Sequence, residues 1–174
     1  MLNVMIKTNQ GMIPKDAQSL PQSVKKMWLL INLLGLAVIL IVAVVINIFL
    51  KFDWQNPILL GLNGVVGILL IIAIVDIVLI PYNYHFYKYI LNEDAISVYK
   101  GFFLRKSETI PLNRIQNVDT RQGPILRLFH LHNIVIVTAA NAFKIEGISE
   151  DVAQYLRTQL ISAARQAREV ETDE

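Results

Sequence analysis

The chain has 174 residues, a net charge of +2 and 54% hydrophobic side chains, against about 45–50% in an ordinary globular domain. It has no cysteine, which excludes disulfides, thiolate metal sites and cysteine nucleophiles. So small a net charge, with no basic stripe, does not describe a nucleic-acid binder.

The apolar excess is local. It lies between Met27 and Ile80, and the composition from Pro81 onward is that of a soluble domain. This unevenness predicts a membrane module followed by one soluble module.

Residues 1–26 carry Lys7, Lys15, Lys25 and Lys26 against Asp16. They are expected to form a cytoplasmic N-terminal segment, and the first twenty carry no readable pattern. The hairpin is expected over 27–80. A first span covers about 28–50 with no charge, its polar residues being Asn32 and Asn47. Such a stretch is about 34 Å long as a helix, enough to cross a hydrocarbon core of about 30 Å. It is too long for the apolar region of a signal peptide and lacks a small-residue cleavage site. A second span covers about 58–80. The connection, Lys51 to Pro57, is short enough to force antiparallel neighbours.

Lys25 and Lys26 abut the first span and Lys88 follows the second, while the connection holds Lys51. By the positive-inside rule the chain is expected in the cell (inner) membrane with both termini cytoplasmic. Trp28, Trp54 and the group Tyr82, Tyr84, Tyr87 and Tyr89 occupy positions suited to interfacial aromatic belts. Gly61, Gly64 and Gly67 recur every three residues. They read either as close packing against the first helix or as an interface with a partner. Asp76, the charge within the second span, lies near its inner end. It reads as a tolerated boundary acid or as a proton- or partner-linked group.

From Tyr82 the pattern becomes strand-like, through Tyr82–Leu91, Ile96–Tyr99, Phe102–Ile110, Arg114–Arg121, Asn133–Ala139 and Phe143–Ile148. Turn residues separate these runs, and Ile125–Leu131 reads as one or two helical turns. Short strands at this spacing predict a small sandwich or barrel. Ser149, Glu150 and Asp151 then open a helix with acids in its first turn. Val152, Leu156, Leu160, Ala163, Ala164 and Ala167 repeat at helical spacing on one stripe. The soluble module is therefore all-β with a C-terminal capping helix, expected over 81–170, and residues 171–174 form an acidic tail.

Ile110-Pro111-Leu112-Asn113-Arg114-Ile115-Gln116-Asn117-Val118-Asp119-Thr120, then Gly123-Pro124-Ile125-Leu126-Arg127-Leu128-Phe129, Thr138-Ala139 and Gly147-Ile148, resemble the bacterial pleckstrin-homology type 2 domain. With two preceding spans, the chain over about 20–165 resembles the YdbS-like membrane proteins. His130 departs from the pattern, standing where such proteins often carry glycine. The resemblance implies a pleckstrin-homology-like barrel with a capping helix. It also implies co-operation with a larger membrane protein bearing several such domains (the YdbT type); self-association is the other partner expected of a docking domain. Related bacterial proteins are linked to protection against membrane-active peptides, and the resemblance therefore implies a role in bacteriocin immunity.

No catalytic constellation is expected, and no cofactor. His130 and His132 would share a face of a strand, but no carboxylate lies near enough in sequence to complete a metal site. Gly101 and Gly123 are isolated and form no phosphate loop. Lys100, Arg105 and Lys106 are the candidates for binding membrane lipids, because cations near an anionic leaflet gain about 1 kcal/mol each. Plain juxtamembrane electrostatics is the simpler reading of the same residues. Pro111, Arg114, Gln116, Asp119 and Arg127 form a polar motif. It reads either as a buried Arg114–Asp119 or Arg127–Asp119 pair or as a partner-binding face. The expected function is non-enzymatic: a membrane-anchored interaction protein docking a partner membrane protein at the inner leaflet. The alternative is a lipid- or peptide-binding module in envelope defence. A membrane enzyme would need polar residues clustered around Asp76 or the histidines.

Overall fold

The computed structural model describes residues 13–14, 16–50, 56–101 and 106–172. They form two units, one of residues 25–82 and one of residues up to 24 together with 83 onward.

The first unit is the hairpin. Helix α1 runs Ser23–Phe49 and α2 runs Pro57–Phe86. Both are long and apolar enough to cross a membrane. On α2 the shielded positions up to Ile80 include Leu59, Asn63, Val66, Leu70, Ala73, Ile77 and Ile80. Most of them follow the alternating spacing of four and three that marks the seam between antiparallel helices. Asn47 and Asn63 meet across that seam. The Asn47 amide donates to Asn63 Oδ1 at 2.9 Å, and the Asn63 amide returns a bond to Asn47 Oδ1 at 3.2 Å. Asn47 also donates to the Ala43 carbonyl at 2.8 Å, and Asn32 to that of Trp28 at 2.9 Å. In lipid, unpaired amides would be costly, so these partners are what allow asparagine in the spans.

The glycine stripe does not serve the seam. A Cβ built on Gly61, Gly64 or Gly67 would meet nothing within 4 Å. The expectation of close packing against α1 is therefore corrected: the contact in the hairpin rests on larger side chains and the asparagine pair.

The second unit is a sandwich of two antiparallel sheets. Strands β1 (Gln18–Ser19), β2 (Lys88–Leu91), β3 (Ala95–Lys100) and β4 (Lys106–Pro111) form one sheet in that order. Strands β5 (Ile115–Arg121), β6 (Leu131–Thr138) and β7 (Ala142–Ser149) form the other. A single 3-10 turn, Leu112–Arg114, joins the sheets, and a short helix α3, Pro124–Leu128, joins β5 to β6. Helix α4, Glu150–Thr172, follows β7 directly. The fold is the expected one, a pleckstrin-homology-like barrel with a C-terminal helix.

The core joins Tyr89, Ile96, Val98 and Ile110 of the first sheet to Val118, Ile134, Ile136, Ile145 and Ile148 of the second. Leu156, Leu160 and Ala164 of α4, all on the predicted stripe, are buried with them, as is Ala153, which takes the place expected of the half-buried Val152. Each fully buried large aliphatic side chain contributes about 1.5–3 kcal/mol. On the buried side of β3, the Ser97 and Thr109 hydroxyls pair at 2.9 Å, which makes a buried serine tolerable.

Two findings were not legible in the sequence. First, the segment before α1 belongs to the barrel. Gln18 pairs with Tyr89 and Ser19 with Lys88, while Ala17, Leu20 and Val24 are buried. Because paired strands lie only about 4.8 Å apart, the flanks on either side of the hairpin must occupy the same side of a bilayer. Second, Tyr82–Phe86 is helical, not the start of a strand. The helix passes through Pro81, and Tyr87 N–H still reaches the Asn83 carbonyl at 3.0 Å. The Tyr84 hydroxyl donates to the Leu20 carbonyl at 2.5 Å, a long-range bond that an aromatic-rich run does not announce.

Candidate functional site

Of the lipid candidates, Lys100 ends β3 and Lys106 opens β4. Lys100 and Lys106 face each other across the β3–β4 ladder. Arg105 lies outside the described residues. The Lys100 ammonium sits 5.2 Å from the ring centre of Tyr87, the first residue after α2, and donates to the Lys144 carbonyl at 3.0 Å. Tyr87 is buried. Its hydroxyl accepts from Glu146 N–H at 3.1 Å and reaches the Lys144 carbonyl at 3.5 Å. Burial first, and then the neighbouring carboxylates of Glu146 and Glu108, push the Tyr87 phenol well above its ordinary range; the bond from the Glu146 backbone opposes that only in part. Burial alone raises Tyr89.

Lys144 is a member of this group that sequence reasoning missed, because it arrives from β7, far along the chain. The cations are locally balanced. Lys106 pairs with Glu108 at 2.5 Å and Lys144 with Glu146 at 3.0 Å. Each such pair spans two positions of one strand, whose side chains share a face. Exposed pairs of this kind contribute about 0–1 kcal/mol. Three lysines against two glutamates leave a single net positive charge in the group.

The polar motif is distributed along β5. Pro111 precedes the 3-10 turn and Arg114 is its last residue, and both are exposed. Gln116 is exposed on β5 beside them. Arg127 is exposed on α3, beyond the far end of the strand. Seven strand residues separate the two arginines by roughly 20 Å, so they form no cluster. Asp119 is half-buried and accepts the Asn117 amide at 2.9 Å. Neither Arg114–Asp119 nor Arg127–Asp119 forms an ion pair. Among the described residues the ion pairs are the two lysine–glutamate pairs. The expected buried arginine pair is thus replaced by an asparagine–aspartate contact beside the strand edge.

That edge is partly blocked. The Arg157 guanidinium, reaching from α4, donates to the Val118 carbonyl at 3.3 Å, and Val118 N–H is taken by the Asn117 side chain at 2.9 Å. A free edge invites strand addition, and here both backbone groups of its central residue are occupied. The side chains of Arg114, Gln116 and Arg127 make no hydrogen bond or ion pair with the described residues.

Asp76 is exposed on α2, off the asparagine seam, and has no bonding partner among the described residues. His132 Nδ1 is buried without a hydrogen bond. Among the described residues no three potential ligands gather as a metal site. His130 has φ +52°, the left-handed backbone that glycine adopts without strain. The departure from the family pattern thus leaves the turn in the glycine-like conformation.

A two-helix apolar hairpin inserted between the first strand and the rest of a capped, two-sheet barrel defines a membrane protein with a pleckstrin-homology-like domain. The family model described as "Bacterial PH domain" matches residues 29–164, and the chain belongs to that family. It is 30% identical over 143 residues to the UPF0699 transmembrane protein YdbS of Bacillus subtilis (strain 168), covering 80% of this chain and 87% of that protein. It is also 28% identical over 92 residues to the UPF0699 transmembrane protein YdbT of the same organism, covering 51% of this chain and 19% of that protein. No solved structure matches.

Proposed function

We propose that the chain is a non-enzymatic docking protein. Its hairpin holds the barrel at the cytoplasmic face of the cell membrane, where the barrel binds a larger membrane protein carrying domains of the same kind. The carrying observation is that Arg114 and Gln116 stand exposed next to each other, with their bonding capacity unused by the described part of the fold. A polar motif that does not stabilise its own domain is available for recognition. Tethering to the same bilayer raises effective concentration, so a weak contact at this face would be sufficient. The likeness of part of the chain to a small fraction of YdbT supports a partner of this architecture. The cytoplasmic side rests on Lys25, Lys26 and Lys88 flanking the spans.

The rival reading, lipid or peptide binding through Lys100, Arg105 and Lys106 in envelope defence, is less well supported. Lys106 and Lys144 already hold glutamates, whereas a lipid-reading cluster gathers about 4–8 cations.

The test places a photo-crosslinking amino acid at position 114 or 116 of the full chain in cells, with position 155 as the control. Adducts to a larger membrane protein from 114 and 116 but not 155 support docking. Adducts to a second copy would make self-association the function of this face. Absence of adducts at both positions would overturn the proposal.

A further inference from the structure

We propose that α3 is a second contact with the membrane, in which Leu128 enters the headgroup layer of the bilayer that the hairpin already spans. The inference is independent of the docking reading and uses different residues.

Placement comes first. The chain departs for the first span at Val24, which is fully buried in the barrel unit. Val24 lies against Gly147, where an added Cβ would come within 2.7 Å of its Cγ2. Gly147 N–H donates to Asn133 Oδ1 at 2.9 Å, and Asn133 is the ladder partner of Arg121. The β5–β6 connection begins at that row, and the Gln122 amide ties it to the Leu131 carbonyl at 3.1 Å. Helix α3 is therefore at the end of the barrel from which the first span leaves.

Composition comes second. Leu128 is 67% exposed, more than any other large apolar side chain outside the spans among the described residues. Pro124, Arg127 and His130 are exposed around it. From Thr120 to Ile145 the sequence contains no acid, while Arg121, Arg127 and Lys144 are basic. Glu150 and Asp151 open α4 at the same end, since Ser149 pairs with Leu131. They sit in the first turn of that helix, where its dipole favours them.

An apolar tip flanked by Arg121 and Arg127, on a connection that itself carries no carboxylate, suits a bilayer interface. The leucine leaves water while the Arg127 stem lies along the acyl boundary, with its guanidinium among the phosphates. A protein groove would also accept leucine, but continuity with a membrane-spanning segment favours lipid. For a soluble domain so weak an anchor would be inadequate, whereas here it fixes the orientation of a barrel that is already tethered.

The absence of cysteine makes the test direct. A nitroxide is attached to Leu128→Cys, and separately to Tyr155→Cys, in the full chain reconstituted in nanodiscs of phosphatidylethanolamine and phosphatidylglycerol. Tyr155 is 62% exposed on α4 and serves as the reference. Both sites are exposed, so labelling leaves the core intact. Immersion predicts that the label at 128 relaxes readily with oxygen and is several-fold less accessible to an aqueous nickel chelate than the label at 155. Replacing phosphatidylglycerol by phosphatidylcholine, or adding Arg127→Gln, should shift the label at 128 toward the aqueous value. Equal nickel accessibility at 128 and 155 would overturn the proposal. So would a label at 128 shielded from both oxygen and nickel, which would mean that protein covers Leu128.

Discussion

Val24 packs so closely on Gly147 that no side chain fits between them: a Cβ at 147 would stand 2.7 Å from Val24 Cγ2 and 3.4 Å from Cγ1. Gly147 also holds φ +72°. A left-handed non-glycine residue costs about 1–2 kcal/mol, and overpacking about 1–3 kcal/mol more. Gly147→Ala is expected to destabilise the barrel by roughly 2–5 kcal/mol. Thermal unfolding in mild detergent measures this. Adding Val24→Ala should recover the steric part and leave the conformational part.

The Asn47–Asn63 pair should hold the hairpin with a measurable coupling. Interhelical hydrogen bonds in membranes average about 0.6 kcal/mol and reach about 1.7. A double-mutant cycle of Asn47→Ala and Asn63→Ala, followed by unfolding in denaturing detergent, should give a coupling in that range. A coupling indistinguishable from zero would mean that apolar packing alone holds the seam.

Tyr87 sets an alkaline limit on stability. Its folded phenol titrates above the unfolded value of about 10. The buried neutral form therefore contributes its full stability below pH 10. That contribution declines as the pH rises past the unfolded value, because the unfolded chain releases a proton that the folded one retains. Tyr87→Phe should lose about 1 kcal/mol near neutral pH, from the hydroxyl's hydrogen bonds, yet show a shallower fall above pH 10. Tyr89, raised in the same direction, keeps part of the slope in the variant.

At His130 the strain is small and local. With φ +52°, His130→Gly removes a left-handed penalty of about 1–2 kcal/mol and adds unfolded-state entropy of about 0.5–1 kcal/mol. The variant should be as stable as the parent or up to about 1 kcal/mol more stable. A clear loss would show that the imidazole itself holds the turn.

Much of this architecture was legible because membrane thickness is a demanding constraint: the spans announce themselves by length and by the lack of charge. Most of the stripe of α4 was legible too, since Leu156, Leu160 and Ala164 keep helical spacing; at its start the buried residue is Ala153 and not Val152. Strand β1 was not, because Gln18 and Ser19 are polar and exposed; it is the flanking Ala17, Leu20 and Val24 that hold it. Tyr82–Phe86 misled because aromatic residues favour strands locally, while its helical state is sustained by the contact of Tyr84 with Leu20. Lys100 and Lys106, candidates by adjacency, do face each other across the β3–β4 ladder, whereas Lys144, which lies beside Lys100, is distant in sequence. Asn63 was passed over because its significance lies in Asn47, on the other helix.

The central claim is that one barrel is built from both flanks of the hairpin, and the proposed function adds that it is held on the cytoplasmic side. Single cysteines at Gln18, Asp53 and Thr158 test it most directly, probed in intact cells with a membrane-impermeant maleimide and again after permeabilisation. The account predicts labelling of position 53 from outside, and of 18 and 158 only once the membrane is opened. Labelling of 18 and 158 from opposite sides, or of both from outside, would contradict it.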